Sequence, residues 1–195
     1  MQRLVVTLLL LGLGPGAAPA AVQWGLSAEI GVAGFSGTSR DSSGATVGPY
    51  RPTTFGVRVD REAGRVRVAL NLLYAQPGLA GKQGNALFVQ CGVISLWEIA
   101  PEVSLRVAHF GTGVEARVEA GPAIDLWQVN DEQRHRVGAH AGLALEWPVA
   151  RSLIGSLRAG GVSSRSMVDP ADVPAGVERR PTRRFGVAVG LRYRL

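Results

Sequence analysis

The chain has 195 residues, of which 46% are hydrophobic and 18% are charged, with a formal net charge of +6. This length favours one domain, and the apolar content argues against a disordered chain. A single cysteine, Cys91, excludes a disulfide scaffold and a cysteine-based zinc cluster. The 26 glycines follow no three-residue period, which excludes collagen.

Residues 1–20 have the features of a secretory signal peptide. Arg3 supplies the positive start, an apolar segment follows at residues 4–13, and the sequence Ala-Pro-Ala at residues 18–20 suits a signal peptidase. The apolar segment is shorter than the ~20 residues that a membrane-spanning helix needs. We therefore predict a signal peptide at residues 1–20 and one mature domain at residues 21–195. The alternative is a buried N-terminal helix.

Hydrophobic residues occupy every second position along most of the mature chain. In residues 184–195 every odd position is hydrophobic, whereas the even positions carry arginine, glycine or alanine. Successive side chains of a strand point to opposite faces, so this pattern predicts a strand with one apolar face. The same alternation predicts eight strands, at residues 23–32, 55–60, 65–74, 97–107, 114–126, 136–147, 152–164 and 184–195.

The predicted connections alternate between short turns and longer loops. The short turns are residues 62–64, 108–112 and 148–151, and the longer loops are residues 36–52, 77–90 and 167–181. The connection near residues 130–134 is short but polar. An even number of strands with this asymmetry is typical of outer-membrane barrels. We therefore predict an all-β fold, an eight-stranded antiparallel up-and-down transmembrane β-barrel.

The composition of the polar face indicates which side of the barrel faces outward. A soluble lipocalin-like barrel would turn its apolar face inward, whereas a membrane barrel does the reverse. The polar face combines glycine and alanine with long arginine and glutamate side chains, as a narrow eight-stranded lumen requires. We therefore predict a lumen filled by paired charges. The predicted arginines are Arg58, Arg65, Arg67, Arg106, Arg117, Arg136, Arg158 and Arg192, and the predicted carboxylates are Glu29, Asp60, Glu98, Glu102, Glu115, Glu119, Asp125 and Glu146.

Aromatic residues agree with this orientation in part. Tyr74 lies at the rim that the longer loops form, where an outer interfacial girdle is expected. Trp127 has the parity of the lumen face, and Trp97 is predicted to lie too deep for a girdle. The residues predicted for the inner girdle, beside the short turns, are Trp24, Trp147 and Tyr193.

Two prolines interrupt predicted strands. Pro101 and Pro122 cannot donate a hydrogen bond, and a closed barrel has no free edge to accommodate them. Local bulges are therefore expected near both residues.

Four segments, in this order and spacing, resemble the small eight-stranded outer-membrane β-barrel proteins of the porin family, with the OmpX and OmpA barrels as architectural relatives. Residues 70–78 look like the third strand of that family, which ends in an ELLYSQKG-type sequence. Residues 96–101 are similar to its YLEIP motif with one extra residue, Ala100, and residues 120–123 match its AGPA element. Residues 190–195 look like the terminal signal of the barrel-assembly machinery, with Leu195 where phenylalanine is commonest. The resemblance implies a fold and an outer-membrane location more firmly than an activity.

Three histidines are the candidates for chemistry. His109 falls beside a short turn, His135 falls beside a loop, and only His140 is predicted on the lumen face. A catalytic interpretation would join His140 to a nearby serine and glutamate, but outer-membrane barrel enzymes place such residues on the lipid-facing surface or at the outer rim. A hydrogen-bonded lumen histidine is the simpler interpretation. We see no clustered metal ligands, and we interpret Cys91 as a small buried or lipid-facing residue.

An arginine-rich segment at residues 178–184 precedes the last strand. Export and the lack of interleaved aromatic residues argue against nucleic acid binding. On the predicted topology the segment lies in the last outer loop, beside the phosphates of lipopolysaccharide, which arginine forks bind well. The arginines expected to contact lipopolysaccharide are Arg179, Arg180, Arg183 and Arg184. A solvated loop of like charges is the alternative.

The sequence therefore predicts a monomeric, non-catalytic outer-membrane barrel with a structural or surface-interaction role in the cell envelope. Its predicted partners are outer-membrane lipids, lipopolysaccharide and, during biogenesis, the barrel-assembly machinery. We predict no catalytic residue, no cofactor and no metal site. The alternatives are a small porin, an enzyme that acts on envelope lipids, and a soluble lipocalin-like carrier.

Overall fold

Antiparallel strands make up the regular secondary structure in the part of the chain that the computed structural model describes. The described residues are 22–36, 39–40, 46–50, 52–83, 86–90, 94–111, 113–129, 132–166 and 181–195. Within them no helix is long and apolar enough to cross a membrane. The predicted signal peptide, Cys91, Arg179 and Arg180 lie outside these residues.

The strands of the described residues are β1 (Gln23–Ser36), β2 (Ser39–Arg40), β3 (Thr46–Tyr50), β4 (Thr53–Ala63), β5 (Val66–Ala75), β6 (Gly78–Gln83), β7 (Ala86–Gln90), β8 (Ile94–Phe110), β9 (Val114–Val129), β10 (Glu132–Ala150), β11 (Leu153–Ser164) and β12 (Thr182–Arg194). Eight of these strands close into one barrel, in the order β1-β4-β5-β8-β9-β10-β11-β12 with β12 paired to β1. Every pairing is antiparallel, and the predicted eight-stranded up-and-down fold is confirmed.

The connections at residues 36–52 and 77–90, which were predicted to be loops, contain strands. Their strands form a second sheet in the order β2-β3-β6-β7. The two connections meet where β3 pairs with β6, with Val47 opposite Gly81. The expectation was wrong because these strands are short and lack alternation, so their pairing depends on the barrel bringing the two connections together.

Short turns close one end of the barrel, as predicted. Gly64 and Gly113 adopt positive φ angles of 64° and 82° in two of these turns, a conformation that glycine reaches without steric cost. Both ends of the described chain lie here too, because the Leu195 N–H donates to the Trp24 carbonyl at 3.0 Å. We call this end the inner end and the opposite one the outer end, since outer-membrane barrels have short periplasmic turns.

Hydrophobic side chains cover the outside of the barrel, and charged ones fill its interior. Val189 is 52% exposed and Leu143 is 61% exposed, whereas Arg58 and Arg67 are each 1% exposed. A soluble carrier would show the opposite arrangement. The predicted arrangement, with the apolar face outward and the charges in the lumen, is therefore confirmed.

Strand register corrects the expectation for the two prolines. Pairing between β8 and β9 is interrupted around Pro101 and Pro122 and resumes in the same register, so neither proline produces a bulge. A Cβ at Gly121 would lie 2.0 Å from the Pro101 carbonyl oxygen, so the missing side chain lets the strands approach closely here. The register shift between these strands lies nearer the inner end, between Arg106 and Ala108.

Register also corrects the placement of Trp97. Trp97 pairs with Tyr74, and their ring centroids are 4.8 Å apart. Because Trp97 is 52% exposed and lies level with Tyr74, the next-to-last residue of its strand, the two rings form part of an outer girdle, and Trp97 is not too deep. Trp127 lies on the lumen face, as its parity predicts, and contacts Phe35 with ring centroids 5.7 Å apart.

Candidate functional site

The barrel lumen holds a continuous set of ion pairs, which we call the lumen network. Alternation along each strand sends these side chains inward, and register brings them into contact. The network consists of Arg58, Arg67, Arg106, Arg117, Arg158 and Arg192 with Glu29, Asp60, Glu62, Glu102, Glu115, Glu119 and Glu146. It contains one carboxylate more than guanidinium groups.

Arg67 is the centre of the inner part of this network. Its Nη1 and Nη2 donate to the two oxygens of Glu146 at 2.5 and 2.9 Å, and Nη2 also donates to Glu62 at 2.8 Å. Arg192 forms a second fork, with Nε 2.9 Å and Nη2 2.5 Å from the oxygens of Asp60. Paired donors of this kind fix the geometry of both partners.

Arg58 and Arg158 hold the carboxylates at the middle of the barrel. Arg58 Nη2 lies 2.5 Å from Glu102 Oε1, and its Nη1 lies 3.1 Å from Glu119 Oε1. Arg158 contacts the other oxygen of Glu119, and its Nε lies 2.7 Å from Glu29. These contacts tie β4, β8, β9, β11 and β1 together across the lumen.

Above these charges, toward the outer end, the lumen contains a group of hydrophobic side chains that we call the outer apolar cluster. Trp127 is its largest member and is 1% exposed. The cluster consists of Phe35, Leu73, Ala75, Ile94, Leu96, Trp127 and Val129. Its side chains come from β1, β5, β8 and β9, so the cluster narrows the lumen on the side away from the short turns.

Arg184 does not lie where the arginine-rich segment was predicted to lie, in the last outer loop. Its guanidinium group donates to Glu98 inside the lumen, so it does not belong to an outer loop. Arg183, the neighbouring residue, is exposed at the outer end of β12. Alternation along the strand explains the difference, since Arg184 has the parity of Arg192.

Most of the predicted lumen charges occupy the predicted face. Arg65 is not in the lumen, because it lies in a short turn and is exposed. Arg136 is partly buried, and its Nε donates to the Ser166 carbonyl oxygen at 2.6 Å. Glu62 and Arg184 are lumen partners that were not predicted. Their parity was the available signal, because each continues the polar face of its strand toward a strand end.

The three histidines lie apart from one another. His109 is exposed, with Nδ1 3.6 Å from Glu115, and His135 is exposed on the other side of the sheet from the lumen. His140 faces the lumen, as predicted, but its Nδ1 is buried and has no hydrogen-bond partner among the described residues. The expectation of a hydrogen-bonded lumen histidine is therefore wrong for this nitrogen.

His140 is nevertheless close to two carboxylates that the sequence places on separate strands. One ligand atom from each of Glu102, Glu119 and His140 lies within 4.8 Å of the other two. A cavity of about 80 Å³ adjoins all three side chains, and Gly142 and Gly160 leave space in its wall. Within the described residues no serine hydroxyl bonds to His140, so the hydrolase arrangement considered from the sequence is not formed.

Comparison with known proteins gives information on the fold. No protein-family model and no curated protein matches this chain. Among solved structures, the outer membrane protein OprG from Pseudomonas aeruginosa is similar over 91% of this chain and 98% of its own, with a TM-score of 0.63 and 9% identity. Neisserial surface protein A (NspA) is similar over 88% of this chain and 97% of its own, with a TM-score of 0.54 and 12% identity.

The solid-state NMR structure of the outer membrane protein AlkL in lipid bilayers is a further match. It covers 94% of each chain, with a TM-score of 0.51 and 12% identity. At these identities the likeness shows the fold, which is that of the small outer-membrane β-barrels. The resemblance drawn from the sequence motifs is thereby confirmed at the level of the fold.

Proposed function

Starting from the fold of a small outer-membrane β-barrel, we propose that this chain is a monomeric, non-catalytic protein of the cell envelope whose lumen is closed. Its role is structural or surface-interacting, and the outer end makes the contacts. The observation that carries this proposal is the filling of the lumen. Arg58, Arg67 and Arg117 lie buried across the barrel interior, and the outer apolar cluster lies above them.

A closed lumen follows from the energetics of the buried charges. Each guanidinium group is held by at least one carboxylate, and a group that left its partners to open a path would remain buried and unpaired. Arg117 illustrates the constraint, because it contacts both Glu62 at 3.0 Å and Glu115 at 3.2 Å. These contacts support a rigid barrel more than a permeable one.

The same geometry supports a non-catalytic role. His140 faces carboxylates in a narrow lumen, and the described residues give it no hydroxyl or thiol nucleophile. A nucleophile and its base need to lie within hydrogen-bond reach of each other and of a substrate. An envelope lipid in the outer leaflet would contact the apolar outside of the barrel, on the far side of the sheet from His140.

A small porin is the second candidate, because the lumen does contain a cavity of about 80 Å³ beside Glu102 and His140. This volume holds a few water molecules, which is much less than a continuous aqueous channel needs. We therefore favour the closed barrel over the porin as the function of this chain.

Planar-bilayer recording distinguishes these two candidates. The purified, folded barrel is expected to give no discrete conductance steps, because the lumen network and the outer apolar cluster fill the interior. A wide-lumen porin inserted under the same conditions is the positive control, and the heat-dependent gel mobility of the sample verifies folding. Reproducible unitary steps from the folded protein would support the porin and contradict the closed barrel.

Lipopolysaccharide is the partner that we propose for the outer end, where Arg183 is exposed. Replacing Arg179, Arg180 and Arg183 together with glutamine is expected to lower the amount of co-purifying lipopolysaccharide, because arginine forks pair with its phosphates. Arg194→Gln is the matched control, since Arg194 is exposed at the inner end of the same strand. Equal lipopolysaccharide on the triple variant and the native protein would reject this contact.

For biogenesis, we propose that the barrel-assembly machinery recognises residues 190–195.

A further inference from the structure

We propose that the barrel lumen binds one divalent transition-metal cation, with Zn²⁺ as the reference ion, between Glu102, Glu119 and His140. Two carboxylates and one imidazole form a ligand set suited to Zn²⁺ and neighbouring first-row cations. Nothing in the alternation of each strand singles out these residues from the other lumen side chains. Their convergence comes from the register of β8, β9 and β10.

Register brings the three residues to one place. His140 on β10 lies directly opposite Gly121 on β9, and Glu119 lies two residues from that glycine on the same lumen face. Because Gly121 has no side chain and lets β8 approach closely, Glu102 on β8 can face His140 across it. The distance from Glu102 Oε2 to His140 Nε2 is 3.7 Å.

These distances fit a shared ion. Ligands at 2.0–2.2 Å from one zinc ion are separated by roughly 3–4 Å in a tetrahedral site. The three ligand atoms already lie within 4.8 Å of one another, so small side-chain rotations complete the site. The separation of 3.7 Å between Glu102 and His140 is too long for a hydrogen bond.

The three side chains also have lone pairs that are available to coordinate a cation. Glu102 is 3% exposed, and although Arg58 lies 2.5 Å from its Oε1, that oxygen has no hydrogen-bond partner among the described residues, while its Oε2 faces His140 Nε2 at 3.7 Å. His140 is equally unsatisfied at Nδ1. A carboxylate oxygen has two lone pairs, so the Glu119 oxygen that accepts from Arg158 can also coordinate an ion. A buried imidazole with an unpaired nitrogen is costly, and a cation is one partner that could satisfy it.

The surroundings favour a cation with room for water. The lumen network carries one more carboxylate than guanidinium groups, so a divalent cation would change its formal charge from −1 to +1. The cavity of about 80 Å³ borders the three ligands and is also lined by Glu29, Glu98, Arg158 and Arg184, so charges of both signs surround it. Water molecules in this space can complete the coordination of the ion, as they do where a protein supplies three ligands.

Equilibrium dialysis against Zn²⁺ tests the site on the folded, chelator-treated barrel in detergent. The native protein is expected to retain one Zn²⁺ per chain, and His140→Gln is expected to weaken binding at least tenfold, since changes even outside the ligand set cost 10–100-fold. Glu102→Gln provides an independent loss of one ligand. His135→Gln and His109→Gln are matched controls, because both histidines are exposed and lie away from the lumen site.

Three outcomes would overturn the proposal. The first is that the folded native barrel retains no Zn²⁺. The second is that His140→Gln binds as tightly as the native protein, and the third is that a surface-histidine control abolishes binding instead. Heat-dependent gel mobility verifies that each variant is folded. Replacement by Co²⁺ adds a direct readout, because the visible d–d absorption of Co²⁺ depends on its coordination geometry, so the loss of one ligand in His140→Gln should change that spectrum.

Discussion

Replacing Arg67 with methionine is expected to destabilise the folded barrel by about 3–5 kcal/mol. Arg67 is 1% exposed and donates to both oxygens of Glu146, at 2.5 and 2.9 Å. Methionine approximates the side-chain volume but supplies no positive charge, so Glu146 would remain buried with Arg158 at 3.5 Å as its nearest described cation. Urea unfolding of the refolded barrel, followed by tryptophan fluorescence, measures the effect.

The partners of Arg67 allow a sharper test. In Arg67→Met, Glu62 retains its contact with Arg117 at 3.0 Å and Asp60 retains its contact with Arg192 at 2.5 Å. Most of the loss in the free energy of unfolding is therefore expected to come from the unpaired Glu146. The double variant Arg67→Met with Glu146→Gln is therefore expected to be more stable than Arg67→Met alone. A double variant that is less stable than the single one would contradict the assignment of the cost to the unpaired carboxylate.

Arg65→Met is the matched control for Arg67→Met. Arg65 precedes Arg67 by two residues but is exposed in the turn beside Gly64. Its carbonyl oxygen accepts the Arg106 backbone N–H at 2.9 Å, a contact that the substitution preserves. A change within about 0.5 kcal/mol is expected, as for other surface substitutions.

The second large effect concerns the outside of the barrel. Val57→Arg is expected to cost about 2–4 kcal/mol in a lipid bilayer, because an arginine on the lipid face near the membrane midplane loses its hydration. Val57 is 49% exposed and lies at the middle of β4, opposite Leu72 on β5 and Ala28 on β1. Reversible unfolding in bilayers of stated thickness measures the change in the free energy of unfolding.

Val66→Arg is the control at a different depth. Val66 is 43% exposed but is the first residue of β5, beside the inner turn at Gly64. Near the membrane interface the cost falls to about 0–1 kcal/mol. Equal and small costs at Val57 and Val66 would mean that water, not hydrocarbon, contacts the outside of the barrel.

Alternation explains why so much of this fold could be predicted from the sequence. On β12 the odd positions from Phe185 to Tyr193 are hydrophobic, and a period of two assigns them to one face wherever the strand lies. Arg192 is thereby assigned to the other face. The short turns with Gly64 and Gly113 and the balance of charges on the polar face complete the barrel and its orientation.

Contacts between residues far apart in the chain could not be predicted in this way. The second sheet depends on β3 meeting β6, and neither strand carries an alternating pattern of its own. Trp97 reaches the outer girdle because register places it beside Tyr74. A single strand contains no information on register, since sliding by two residues preserves every face.

The sequence by itself therefore determined the architecture, the apolar outside and the charged lumen, because these follow from the side-chain period of a strand. The tertiary structure alone decided which charges meet. It pairs Arg192 with Asp60, turns Arg184 toward Glu98, and brings Glu102 to 3.7 Å from His140 across Gly121. The physical reason is that closing the barrel fixes the stagger of all eight strands together, and contacts across the lumen depend on that stagger.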